Sequence, residues 1–90
     1  MNIIRLILQT RLEGFAADYD LEFRMYWSSG FQRWVFEFRN KEFNDGILYQ
    51  YSDRELCSLD PHKLADWIIE KVKRSNVIPF YRKVLNERHE

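Results

Sequence analysis

From Asn2 to Tyr19, apolar residues recur at Ile4, Ile7, Leu8, Leu12, Phe15, Ala16 and Tyr19, with Arg5, Gln9, Arg11 and Glu13 on the opposite side. That spacing follows one face of a 3.6-residue period and predicts an amphipathic helix. Gly14 either sits inside the helix at a cost of up to about 1 kcal/mol or stops it, so the expected end is Leu12 or Tyr19.

The period then changes to two. Leu21, Phe23, Met25 and Trp27 alternate with Glu22, Arg24, Tyr26 and Ser28, and Trp34, Phe36 and Phe38 alternate with Arg33, Val35, Glu37 and Arg39. Two strands follow from this, and Ser29-Gly30 between them suits a two-residue hairpin loop in which glycine accepts positive φ. Pairing around that loop sets Phe23 opposite Phe36, Met25 opposite Trp34, Leu21 opposite Phe38, Glu22 opposite Glu37 and Tyr26 opposite Arg33. Asn44-Asp45-Gly46 signals a second turn, and Ile47, Tyr49 and Tyr51 continue the alternation in a third antiparallel strand. Lys41, Glu42 and Phe43 fit no tight turn, which points to a bulge or a longer loop.

Asp60-Pro61 offers an N-cap carboxylate with proline at the first helical position. Leu64, Ala65, Ile68, Ile69 and Val72 form the stripe of that helix, Trp67 flanks it, and Lys71, Lys73 and Arg74 complement its negative end. Asn76 can cap a last helix in which Phe80 meets Val84 and Tyr81 meets Leu85. The expected fold is α+β: a two-layer sandwich in which helices cover one face of a three-stranded antiparallel meander, in the order αβββαα. Leu21, Phe23, Met25, Trp34, Phe36, Phe38, Tyr49, Ile68 and Val72 are expected in its core. No repeat or linker divides residues 1–90, which read as one domain.

Charge narrows the function classes. Fourteen Lys+Arg balance fourteen Asp+Glu for a formal net charge of +0, so no long-range field draws in a phosphate backbone. Cys57 is the only cysteine, which excludes an internal disulfide and suits a reducing compartment; a cytoplasmic location is expected. Arg5 interrupts the apolar run from Ile3 to Leu8, and no small-residue cleavage site follows, so this run reads as a helix stripe and neither a signal peptide nor a membrane span.

Catalytic chemistry finds little support. Cys57 with His62 or His89 is the one nucleophile-and-base pairing, and no glycine-rich turn supplies backbone donors for an oxyanion. Cys57, Asp60, His62 and His89 lack the spacing of a zinc site, and Gly14, Gly30 and Gly46 are too scattered to cradle a phosphate. No enzyme activity, metal or cofactor is expected. Nucleic acid is the alternative partner, through Lys71, Lys73 and Arg74 or through the outer sheet face, although Asp60 to Glu90 holds only seven basic residues against five acidic ones.

Three resemblances bear on this reading. The order helix, meander, helix resembles the double-stranded-RNA-binding domain, a family whose last helix opens on a run of lysines, where this chain has Asp60-Pro61-His62-Lys63-Leu64. Phe31 to Val72, with the strand Arg33-Trp34-Val35-Phe36-Glu37-Phe38-Arg39, looks like the DNA-binding arm of phage integrases, although basic residues are missing from its third strand. In size, element order and aromatic content the whole chain is similar to small phage-encoded αβββαα proteins, among them anti-CRISPR inhibitors that occupy the nucleic-acid surface of an effector nuclease. That likeness implies an inhibitor or adaptor acting on a host or phage protein in the host cytoplasm, and charge neutrality argues against DNA mimicry.

Fifteen aromatics (Phe 7, Tyr 5, Trp 3) also favour protein contact, because Trp, Tyr and Arg are enriched at interface hot spots. The expected partner surface is the sheet face away from the helices, with Arg24, Tyr26, Arg33, Val35 and Arg39, and with Tyr26 and Arg33 paired as its anchor. The junction around Lys71, Lys73, Arg74 and Tyr81 is the second choice, and a homodimer is a further option.

Overall fold

The computed structural model describes residues 2–79. Helix α1 (Asn2–Asp18) leads into strands β1 (Leu21–Ser28), β2 (Arg33–Asn40) and β3 (Asp45–Tyr51), followed by a short helix α2 (Asp53–Ser58) and a longer α3 (Pro61–Arg74). The strands form one antiparallel sheet in the order β1-β2-β3, and the fold is α+β with element order αβββαα. The helix expected after Asn76 is not the sixth element. Residues 76–79 are turn and bend, and the remainder, with Phe80, Tyr81, Val84 and Leu85, lies outside the described residues.

The additional helix is α2, and its local signal is Ser52-Asp53-Arg54-Glu55. Ser52 Oγ accepts the Glu55 N–H at 3.1 Å while Glu55 Oε1 accepts the Ser52 N–H at 3.0 Å. This reciprocal cap satisfies two donors that a helix start otherwise leaves unpaired. It turns the chain at the end of β3 and sends Leu56 into the core, where it is fully buried. Helix α3 opens as expected, with Asp60 Oδ1 accepting from the N–H groups of His62 at 2.9 Å and Lys63 at 3.3 Å. Helix α1 runs through Gly14 to Asp18, because Phe15, Ala16 and Tyr19 beyond the glycine are all buried.

One face of the sheet carries the core. Leu8, Leu12, Phe15 and Ala16 from α1 meet Leu21, Phe36 and Phe38 from the sheet and Leu64, Ala65, Ile68 and Val72 from α3. Phe23, Met25, Trp34, Ile47, Tyr49 and Tyr51 are partly buried on the same face. Arg11 ties the two long helices together, its Nη1 donating to the His62 carbonyl at 2.8 Å and its Nη2 to the Asp66 carboxylate.

The strand register corrects the sequence reading by two residues. Phe23 faces Phe38, Met25 faces Phe36, Trp27 faces Trp34 and Leu21 faces Asn40, so the loop between β1 and β2 holds four residues, Ser29 to Gln32. Gly30 does not adopt positive φ; Gln32 does, at 55°. Gln32 Nε2 donates to the Ser29 carbonyl at 2.9 Å and closes the loop. The β2–β3 loop repeats this plan, with four residues and Asn44 at φ 55° as the last of them. A two-residue slip leaves every side chain on its face, so alternation alone could not exclude the tighter loop. Cross-strand charge separates the two registers. The observed one sets Glu22 against Arg39 and Arg24 against Glu37, where the tighter loop would have opposed Glu22 to Glu37.

Asn40, at the end of β2, is a buried polar side chain at 1% exposure. Its Oδ1 accepts the N–H of Glu42 at 2.8 Å and of Phe43 at 3.4 Å, and its Nδ2 donates to the Val77 carbonyl at 2.9 Å.

Two stability predictions follow. A Cβ on Gly30 would meet nothing within 4 Å. Gly30→Ala should therefore be neutral or stabilising by up to about 1 kcal/mol in thermal or urea melts, and Gln32→Gly should relieve left-handed strain by a similar amount. A two-residue hairpin would make Gly30→Ala costly instead. Asn40→Ala strips three hydrogen bonds at a buried junction and should cost about 2 to 4 kcal/mol. Asn40→Asp should be worse at neutral pH and recover on acidification, when the introduced carboxyl can be protonated and donate to Val77.

Candidate functional site

The face of the sheet away from the helices is a small grid. Across the strands Glu22 neighbours Arg39 and Gly46, Arg24 neighbours Glu37 and Leu48, Tyr26 neighbours Val35 and Gln50, and Ser28 neighbours Arg33. Strand alternation brings the five expected residues, Arg24, Tyr26, Arg33, Val35 and Arg39, to this one face, as read from the sequence. Their arrangement differs from expectation. Tyr26 lies across from Val35, so the anticipated pairing of Tyr26 with Arg33 does not form, the four-residue loop having moved Arg33 opposite Ser28.

The arginines have separate roles. Arg33 Nη1 pairs with Glu55 Oε1 at 3.2 Å and so links the start of β2 to the cap of α2. Arg39 Nη2 donates to Asn44 Oδ1 at 2.8 Å and steadies the second hairpin loop. Arg24 stacks on Tyr26, its Cζ 5.0 Å from the ring centroid, and its Nη1 lies 3.6 Å from Glu37 Oε1. That oxygen is buried and has no hydrogen-bond partner, so the Arg24–Glu37 contact is an ion pair without a hydrogen bond. Only the Arg24 end is exposed, at 66% against 19% for the Glu37 side chain. Val35, expected on the partner surface, is instead buried at 2% exposure between Tyr26 and Gln50 on the central strand and is closed to a partner. Leu48, which the sequence reading left out, is 47% exposed beside Glu37. Its even-numbered position opposite Tyr49 and Ile47 in the alternation was the signal that could have placed it here.

A second feature lies on the helix side: an apolar cleft of about 400 Å³ lined by Tyr51, Leu59, Asp60, Lys63, Leu64 and Trp67. The Asp60 carboxylate is occupied by the cap of α3, and those N–H groups hold it below its ordinary value. Burial, followed by the nearby charges of Tyr49 and Glu55, pushes the Tyr51 hydroxyl up to about 12. The basic residues of the last turn of α3 have neighbours within the chain: Lys71 Nζ sits 3.9 Å over the Trp67 ring, Lys73 Nζ 5.9 Å from that of Tyr19, and Arg74 Nη2 3.9 Å from Glu70.

Cys57 is exposed on α2, and His62 lies in the first turn of α3; His89 and Tyr81 lie outside the described residues. Among the described residues there is no group of three or more His, Cys, Asp or Glu side chains able to hold a metal ion, and no helix long and apolar enough to cross a membrane. The outer face carries Tyr26 and the exposed Leu48 beside the Arg24–Glu37 pair. No family model, curated protein or solved structure matches this chain.

Tyr51 provides a pH test. Its raised value means that its contribution to stability is present below its ordinary pKa of 10.0 and is lost as pH rises through about 12. Tyr51→Phe should remove that part of the alkaline unfolding transition. Phenolate absorbance should show one tyrosine fewer ionising late.

Proposed function

We propose that this chain is a non-enzymatic protein-binding module whose contact surface is the outer sheet face, centred on Arg24, Tyr26 and Leu48. The observation that carries this reading is the Arg24–Tyr26 pair, 5.0 Å from guanidinium carbon to ring centroid, on the same sheet face as the exposed Leu48 two strands away and opposite the long helices. A guanidinium held over a phenol ring gives a preformed anchor that loses little side-chain freedom on binding. Arg33 and Arg39 border this patch and hold its edges in place through Glu55 and Asn44. In the specific form that the likeness to small phage proteins suggests, the partner is a host or phage protein and the module inhibits it in the host cytoplasm.

Nucleic acid is the less favoured partner. Net charge is +0, and Glu22 and Glu37 on the outer face offset Arg39 and Arg24. Lys71, Lys73 and Arg74 each already have a neighbour within the chain. Neither Cys57 nor His62 is assigned a chemical role.

The test is affinity for a partner isolated with the tagged chain from host lysate. Arg24→Ala with Tyr26→Ala should weaken binding by at least about 2 kcal/mol while the circular dichroism and Tm of the free protein hold. Cys57→Ser and His62→Ala should bind as the wild type does. Unchanged affinity in the Arg24/Tyr26 variant would remove the outer face from the reading. A gel shift on nucleic acid that weakens steeply with salt would favour the alternative.

A further inference from the structure

Strand β3 is an edge: β2 pairs with one side of it, and no other described strand pairs with the opposite side. An edge strand presents a row of unfilled main-chain N–H and C=O groups, which proteins ordinarily blunt with charge, proline or a bulge. The opposite edge, β1, carries Glu22 and Arg24. From Gly46 to Ser52 there is neither a charged residue nor a proline, and the pairing with β2 runs without a bulge. Leu48 and Gln50 are exposed on one side of this strand, while Ile47, Tyr49 and Tyr51 are only partly buried on the other. The segment therefore carries none of these guards, and among the described residues no strand pairs with its outer side.

We propose that β3 pairs antiparallel with β3 of a second copy of the chain about a two-fold axis at Leu48, joining two sheets into one of six strands. Leu48 is the midpoint of Asp45–Tyr51, so this register alone pairs all seven residues. Ile47 then meets Tyr49 of the second copy, and Gly46 meets Gln50. Asp45, the only charged residue of the strand, faces Tyr51 of the second copy, so no like charges oppose one another. A formal net charge of +0 adds no general repulsion between copies. The outer faces fall on the same side of the joined sheet, with the two Leu48 side chains adjacent at its centre. The contact is edge-on and made through the main chain; it shares Leu48 with the outer face but needs neither Arg24 nor Tyr26. A single seven-residue strand pair is a small interface, so the dimer is expected to form in the micromolar range.

Disulfide trapping of the full chain tests the register directly. In a Cys57→Ser background, Leu48→Cys places two thiols across the axis with Cα atoms about 5 Å apart, within disulfide reach. Gln50→Cys places them four strand positions apart, about 13 Å and out of reach. Oxidation should yield a covalent dimer from the first and little from the second. Sedimentation of the wild type between about 10 and 500 µM should show a concentration-dependent dimer. Leu48→Lys, at a half-exposed site, should weaken it at least tenfold with circular dichroism unchanged, and mixing Leu48→Lys with Leu48→Glu should restore it. Should Leu48→Lys fail to fold, Gln50→Lys serves as the charged-edge variant. A monomeric wild type, equal trapping at both cysteine positions, or dimerisation that is indifferent to charge on this strand would each overturn the proposal.

Discussion

The Asn40 side chain is where the strands, the second hairpin loop and the chain beyond α3 are joined. It sits at an inward position of β2, between Leu21 and Asp45, where an apolar residue would ordinarily extend the core. A carboxamide there can accept two N–H groups and donate to a carbonyl at once, and Asn40 does so toward Glu42, Phe43 and Val77. Its oxygen shapes the four-residue loop into β3 and thereby sets which residue of β3 meets which of β2. Its nitrogen anchors the segment that places Val77 and Ile78, both buried, against the end of the core. A buried amide with three hydrogen bonds in place specifies a single arrangement more strictly than an apolar contact of the same size.

The loop geometry reaches from there to the outer face. Asp20, Gln32 and Asn44 all take positive φ, and each immediately precedes a strand. A left-handed residue at that point turns the chain into its strand at a cost of about 1 kcal/mol when the residue is not glycine. Two four-residue loops of the same plan therefore hold the three strands in register. The register then decides the electrostatics: Glu22 and Arg24 of β1 meet Arg39 and Glu37 of β2, and the face is neutral in small, local pairs.

Those long-range consequences explain what could and could not be read from the chain. The periods of α1, of the strands and of α3 were plain, because alternation and helical stripes are local and every core position obeys them. The caps at Asp60 and Ser52 were equally visible, yet the second was overlooked because α2 has one buried residue, Leu56, and no stripe. The hairpin register was misread because Ser29-Gly30 looks like a tight turn, while Gln32, a poor left-handed residue by propensity, supplies the positive φ. Nothing local marks Asn40 as buried; its role requires Val77, thirty-seven positions away. The five outer-face residues were legible as a set through period two. Their partners, Glu55 and Asn44, were not, since each contact depends on the loops.

The aromatic content takes on a physical role in this architecture. One helical layer can hide one sheet face, and fifteen aromatics exceed that space, so several rings lie partly in water. Four rings have a cation from the same chain over them, the partly exposed Trp34 with Arg5, Tyr26 with Arg24 and Trp67 with Lys71, and the buried Tyr19 with Lys73. A cation over a ring shields apolar surface while keeping its charge hydrated, and it leaves the combined surface flat. Phe31 at 67% and Leu48 at 47% exposure have no such cover among these pairs. Phe31 sits in a hairpin loop, where single exposed side chains are ordinary. Leu48 lies at the centre of an edge strand whose one charged residue is Asp45 and neighbours Glu37, while Arg24 pairs with Glu37 from the opposite edge strand, so the apolar side chain and the guanidinium stand at the two rims of the sheet with the carboxylate between them.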